Sequence, residues 1–158
     1  MSLAKIYTRG LLGLHAPLIE VEVHVSAGLP SLTIVGLAEA AVRESKDRVR
    51  SAIINSGYQF PSKRLTINLA PADLPKDGSR LDLPIALGIL IATGQLPENV
   101  TDHFEFIGEL ALDGHLRPST GTLNIAMACQ MAKHQLMLAQ ENAAEAAQLP
   151  EFQLFAAQ

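Results

Sequence analysis

A polar loop at residues 69–84 holds the side chains best suited to chemistry. Lys76, Ser79 and Arg80 follow one another closely there. A serine becomes a nucleophile when a base such as lysine lies within hydrogen-bond reach. Lysine and arginine side chains also pair with phosphates and carboxylates. The loop therefore allows two interpretations, a serine hydrolase using Ser79 with Lys76 and a noncatalytic site that presents cations to a partner.

The elements on either side of this loop are strongly patterned. From Arg64 to Leu69 apolar and polar residues alternate, which predicts a half-buried strand. Leu83 to Ala92 is apolar almost all round, which predicts a buried helix, with Asp82 as its N-cap. Polar loops between such elements often carry binding or catalytic residues. Proline, aspartate and glycine also mark ordinary turns, so Pro75–Gly78 is compatible with a purely conformational role.

The loop resembles the segment that carries the catalytic serine of Lon-type proteases. The shared residues are Pro75, Lys76, Asp77 and Gly78, and the serine position of Lon is Arg80 here. Gly108–Pro118 resembles a second Lon motif, after which the catalytic lysine position is occupied by Leu123. A leucine cannot accept a proton, so the resemblance predicts no Lon-type catalysis and no catalytic residue in this chain.

A longer, collinear resemblance is to the amino-terminal domain of the ComM (YifB) family, competence proteins among the magnesium-chelatase-like ATPases. It weakens after about Met131. The segments that carry it are Met1–Leu3, Glu20–Ser26, Gly28–Pro30, Ile34–Leu37, Arg48–Gly57 and Ile67–Gly78.

The two resemblances imply a fold and a role. The fold would be α/β (α+β), Lon-protease-like or like domain 2 of a small-subunit ribosomal protein, with helices packed on a mixed sheet. Residues 1–158 would form one Lon-like amino-terminal domain, a fragment of a longer AAA+ ATPase. Such a domain would be noncatalytic and would assist ring assembly or DNA contact in branch migration during natural transformation. Its partners would be its own ATPase module, neighbouring subunits of a hexamer and DNA.

Several chemistries have no motif in this sequence. The chain has no Gly-x-x-x-x-Gly-Lys-Ser/Thr run, so we expect no cofactor here and assign ATP and Mg to the ATPase module. Neither His-Glu-x-x-His nor a cysteine pair is present, so we expect no metal site. The single cysteine, Cys129, lies in an apolar stretch and is expected in the core. No apolar run is long enough to span a membrane and no signal peptide is apparent, which favours a cytoplasmic location.

The charge distribution is uneven. Between Arg43 and Arg80 the chain has eight basic and four acidic residues, although the whole chain has a net charge of −4. This asymmetry predicts one basic surface that binds DNA phosphates or another domain, without aromatic side chains interleaved to stack on bases. The alternative is a solvated helix face whose cations pair with neighbouring acids. The candidate residues are Arg43, Lys46, Arg50, Lys63, Arg64, Lys76 and Arg80.

The remaining elements follow from hydrophobic periodicity and turn residues. Strands are expected at 4–11, 17–26, 32–35, 104–109, 135–139 and 152–155. Helices are expected at 38–56, from Ser119 or Thr120 to about 133, and at 141–148, with a tight turn at 113–114.

Overall fold

The computed structural model describes residues 2–76, 78–98, 103–139 and 142, together with the backbone of residues 154–157. Nine strands lie in the described residues: β1 (Ser2–Arg9), β2 (Leu18–Ser26), β3 (Ser31–Val35), β4 (Arg64–Ala70), β5 (Phe104–Phe106), β6 (Glu109–Leu110), β7 (Leu116–Arg117), β8 (Gln135–Ala139) and β9 (Leu154–Ala157). The helices in the same residues are α1 (Ala40–Arg43), α2 (Ser45–Asn55), α3 (Asp82–Ala92) and α4 (Thr122–Met131).

Seven of these strands form one mixed sheet in the order β3-β4-β2-β1-β5-β8-β9. The β1–β2 and β2–β4 pairs are antiparallel, whereas β3–β4, β1–β5, β5–β8 and β8–β9 are parallel. Strands β6 and β7 form a separate hairpin around the predicted turn at 113–114. The predicted α/β class, a mixed sheet with helices packed on it, is confirmed.

The buried helix predicted after the polar loop is α3, and the prediction is confirmed. Its side chains are buried on nearly every face, because α3 packs against β1 and β2 on one side and α2 on another. Gly88 allows the closest approach to the sheet, since a Cβ there would lie 2.6 Å from Val23 Cγ2. The polar loop that precedes α3 is thus attached to the most buried helix of the described structure.

A smaller apolar cluster lies beneath α4. Cys129 is fully buried in it, as predicted, together with Ile125 and with Leu136 and Leu138 of β8. Met137, between those two leucines, packs instead against the main core. Since successive strand residues point to opposite faces of a sheet, α4 covers the face opposite to α3.

The expected helix at 38–56 is interrupted at Glu44, which ends α1 and precedes α2. The Ala41 carbonyl would bond the Ser45 amide in an uninterrupted α-helix. It instead accepts a hydrogen bond of 3.0 Å from Arg48 Nη2. The prediction of one continuous helix was therefore wrong.

Two predicted helix caps were also wrong. Leu81, not Asp82, is the N-cap of α3, and the Asp82 side chain points inward. Gly121, with φ +70°, precedes α4, whereas the Ser119 backbone is bound by the Asn142 side chain at 2.7 and 2.9 Å. The Asp82 side chain forms tertiary contacts instead of a cap. At α4 the helix begins after Gly121 and not after Ser119 or Thr120.

The last predictions differ in extent from the described elements. The strand expected at 104–109 is divided between β5 and β6. The helix expected at 141–148 lies outside the described residues except for Asn142, and the strand expected at 152–155 overlaps β9.

None of the helices in the described part of the chain has the length and apolarity needed to cross a bilayer.

Candidate functional site

Lys76 is fully buried in the polar loop rather than exposed on its surface. Its Nζ donates hydrogen bonds to the Gly36 carbonyl, at 2.6 Å, and to the Pro71 carbonyl. Its backbone is held as well, because the Lys76 amide donates to Leu37 O at 3.0 Å and the Glu39 amide donates to Lys76 O at 2.9 Å. Lys76 therefore fastens the polar loop to the turn between β3 and α1.

Burial also changes the acid–base properties of Lys76. The pKa of the amine is lowered because desolvation disfavours the charged form, while the negative charge of Asp73 acts in the opposite direction. A fully buried amine cannot contribute to an exposed basic surface. The predicted contact of Lys76 with a phosphate or another domain therefore does not fit its position.

Asp82 is the centre of a second buried polar contact, where α2, α3 and β6 meet. Its carboxylate accepts hydrogen bonds from Ser45 Oγ, from Arg48 Nε at 2.6 Å and from the Leu110 amide at 3.1 Å. Burial raises the pKa of Asp82, and these donors oppose the shift. The same contact raises the pKa of Arg48. The Arg48 side chain is consequently directed into the domain. The other cations of α2, Lys46 and Arg50, are not among the donors to Asp82.

The two segments that resemble Lon motifs meet in the structure. The Gly108 amide donates to Arg80 O at 2.9 Å, and the Leu83 amide donates to Gly108 O at 3.0 Å. A cleft of about 210 Å³ lies between the segments, and we call it the Arg80 cleft. The residues that line the Arg80 cleft are Gly78, Ser79, Arg80, Glu109, Pro118, Ser119 and Thr120.

The chemistry of the Arg80 cleft differs from that of a serine–lysine dyad. Arg80 stands at the serine position and Leu123, in the first turn of α4, at the lysine position. Ser79 lines the cleft, but the Lys76 amine is bound to two carbonyls. A general base must reach the proton that it removes. These contacts provide no support for the alternative Ser79/Lys76 hydrolase.

Three of the predicted cations surround one pocket of about 330 Å³, which we call the basic pocket. Lys46 and Arg50 reach it from α2, and Lys63 from the segment that precedes β4. Asp47 lines it too. Among the ion pairs formed by the described residues, none includes these three cations. The basic pocket therefore has an excess of positive charge that neighbouring acids do not neutralise.

An aromatic ring also lines the basic pocket. The Arg50 guanidinium carbon lies 5.6 Å from the centroid of the Phe60 ring, within cation–π range. The sequence interpretation found no aromatic residue among the cations, because Phe60 lies in the connector after α2. The segment from Phe60 to Lys63 also lines a larger cavity of about 710 Å³.

The other predicted basic residues lie outside the lining of the basic pocket. Arg43, at the end of α1, and Arg64, at the start of β4, are exposed. Arg80 is half-buried in the cleft that bears its name. Asp77, the remaining residue of the motif loop, lies outside the described residues. The structure thus brings together three of the seven candidates and places two others on adjoining elements.

A buried ion pair that the sequence interpretation missed joins β1 to β5. Arg9 donates from Nε and Nη2 to the two oxygens of Glu105, at 2.7 and 2.9 Å, and from Nη1 to Ala16 O at 3.1 Å. His134 Nδ1 lies 2.7 Å from the same carboxylate.

Burial raises the pKa of the nearby Cys129 thiol, so this cysteine is not an activated nucleophile. No group of three or more metal-binding side chains converges in the described part of the chain.

Taken with the sheet topology, these sites define a class of protein: a mixed α/β domain with Arg80 and Leu123 at the positions of the Lon dyad and a basic pocket beside α2. The chain belongs to the magnesium-chelatase family, because the family model for subunit ChlI of Mg-chelatase matches residues 21–142. The resemblance to magnesium-chelatase-like proteins is therefore confirmed.

Individual relatives agree with this assignment. The chain is 56% identical to YifB of Salmonella typhimurium over 145 residues, which are 92% of the chain and 29% of the relative. It is 49% identical over its whole length to competence protein ComM of Haemophilus influenzae, covering 31% of that protein. It is 54% identical to YifB of Escherichia coli, covering 90% of the chain and 28% of the relative. The chain spans about a third of the length of these relatives.

Proposed function

We propose that this chain is a noncatalytic accessory domain of a magnesium-chelatase-like AAA+ ATPase that acts on DNA in the cytoplasm. Its role is to contact DNA, to assist ring assembly, or both, during branch migration in natural transformation. ATP and Mg bind to an ATPase module elsewhere in the longer protein, which assembles as a hexamer. The similarity to a competence protein supports the process, and the basic pocket supports the DNA contact.

The observation that carries the proposal is the grouping of Lys46, Arg50 and Lys63 around one pocket. Three cations that are not paired with acids within the described residues can each neutralise a phosphate. Each phosphate contact contributes a log–log salt slope of about −0.7 on a single strand and about −0.9 on duplex DNA. Three contacts therefore predict a slope of about −2 on a single strand and roughly −3 on duplex DNA.

The test is a DNA-binding titration of the purified chain at several salt concentrations, on single-stranded and on branched DNA. Wild type is compared with Arg43→Glu/Arg50→Glu, which reverses two charges at the basic pocket and beside it. The matched control is Lys5→Glu/Lys133→Glu, which changes the net charge equally at two exposed positions that do not line the pocket. We expect the first variant to lose affinity and the control to resemble wild type.

Equal loss in both variants would mean that net charge alone governs binding. Unchanged DNA affinity in both variants would refute a DNA contact at the basic pocket. It would favour docking of the ATPase module on this surface. Proteolysis is a separate outcome. Cleavage of casein by the chain, abolished by Ser79→Ala, would replace the accessory role with the alternative hydrolase.

A further inference from the structure

The Phe60 ring beside the basic pocket adds a component that charge alone does not provide. Arg50 is held over this ring, whereas Lys46 and Lys63 supply charge without a stacking partner. A guanidinium is planar, and bases of single-stranded nucleic acids stack on aromatic rings and on guanidinium planes. A guanidinium already positioned by a ring loses less freedom when a base stacks on it.

The larger cavity beside the basic pocket has a different chemical character. The segment Phe60–Lys63 lines both spaces, but among the described residues that line the larger one only Lys63 and Glu98 are charged. Most of the other polar groups there are hydroxyls and amides, including the hydroxyls of Ser2, Ser26 and Ser62. The side chains of Thr93 and Gln95 also line it, but they already form hydrogen bonds within the protein. Uncharged polar groups suit the edges of bases, and cations suit phosphates.

We infer that the basic pocket binds single-stranded nucleic acid with a base stacked on the Arg50 guanidinium, which the Phe60 ring holds in position. The phosphates on either side lie at Lys46 and Lys63, and the neighbouring nucleotide extends along Phe60–Lys63 towards the larger cavity. This inference rests on the proposed function and refines it, because a surface that bound phosphates alone would accept duplex DNA equally well. In a duplex the bases are already stacked on one another and cannot stack on the guanidinium.

The test compares two probes that carry the same phosphates. One is a fluorescently labelled single strand of mixed sequence, and the other is an abasic strand of equal length. Stacking of one base is worth about 1–3 kcal/mol, or roughly 5-fold to 150-fold in affinity. We expect wild type to bind the base-bearing strand more tightly by a factor in that range.

Two variants assign the preference to this site. Arg50→Lys keeps the charge and removes the planar guanidinium, so it should abolish the preference while retaining affinity for the abasic strand. Lys46→Ala, the matched control, should lower the affinity for both strands by the same factor. Phe60→Leu should act like Arg50→Lys. Because Phe60 also packs against the main core, Arg50→Lys decides the question if Phe60→Leu does not fold.

The outcomes distinguish this inference from the proposed function. Equal binding of both strands by wild type would overturn stacking and leave the phosphate contact in place. A preference that survives in Arg50→Lys would also overturn the inference, because the base would then be bound elsewhere. Failure of wild type to bind either strand at low salt would overturn the DNA contact in the proposed function and leave ring assembly as the role of the domain.

Discussion

Removal of the Asp82 carboxylate should destabilise the domain more than removal of any exposed acid. Its oxygens bind Ser45, Arg48 and the Leu110 amide, and the residue is fully buried. Breaking a buried ion pair from one side costs about 3–5 kcal/mol. Arg48 retains 20% of its side-chain exposure and can recover some hydration. For Asp82→Ala we therefore expect the free energy of unfolding to fall by about 2–4 kcal/mol.

Urea unfolding, followed by circular dichroism, measures this loss. Asp113→Ala is the matched control, since Asp113 is exposed and binds only His115 among the described residues. Such surface pairs contribute little to stability, because solvent screens both charges. An Asp82→Ala variant within about 0.5 kcal/mol of wild type, with an unchanged m-value, would refute the assigned role of Asp82.

The pH dependence of Asp82 gives a second measurement on the same residue. Burial raises its pKa above the ordinary value of 3.8, so between 3.8 and that raised pKa the folded state binds protons that the unfolded state has released. In the window above 3.8 the contribution of this group to stability therefore increases as the pH falls. Asp82→Asn, which keeps the shape and cannot titrate, should lack this increase. If the difference between the two proteins has the opposite slope, the carboxylate is stabilised by its donors more than it is destabilised by burial.

Three further predictions concern the motif loop and the core. Gly88→Ala should destabilise by about 1–3 kcal/mol in urea unfolding, because its Cβ would meet Val23 Cγ2 at 2.6 Å, and Val23→Ala should restore much of the loss. Lys76→Met should lose about 1–3 kcal/mol at neutral pH by leaving two carbonyls unpaired. Because the Lys76 pKa is lowered, the contribution of Lys76 to stability should rise with pH between that lowered pKa and 10.5, and the variant should lack this rise in the same titration. Purified wild type should not cleave peptide or casein, and Ser79→Ala should leave the background rate unchanged.

Local sequence patterns were sufficient to predict the elements around the motif loop. Alternation in β4 and the apolar run of α3 depend on neighbouring residues, and both predictions agree with the structure. The side chains within the loop were harder to place. Lys76 binds a carbonyl 40 residues away, and Asp82 binds Arg48, 34 residues away. Aspartate is a common N-cap and lysine a common surface cation. The sequence alone therefore could not show that Asp82 and Lys76 are buried and bound to distant residues.

The basic surface was predicted only in part for the same reason. The sequence interpretation selected Lys46 and Arg50 by helical spacing, and both line the basic pocket. Lys63 joins them because β4 lies next to β3 in the sheet, a pairing that charge counts do not reveal. Phe60 was overlooked because connectors carry no periodicity. The interaction that gives the pocket its proposed selectivity therefore appeared only in three dimensions.

The most direct test of the DNA contact is chemical-shift mapping of the backbone amides during titration with a single-stranded oligonucleotide at low salt. We expect the largest shifts in residues 43–50 and 60–64, around the basic pocket, and we expect them to diminish as salt is added. Shifts centred on the Arg80 cleft, or no shifts at high oligonucleotide concentration, would contradict this expectation.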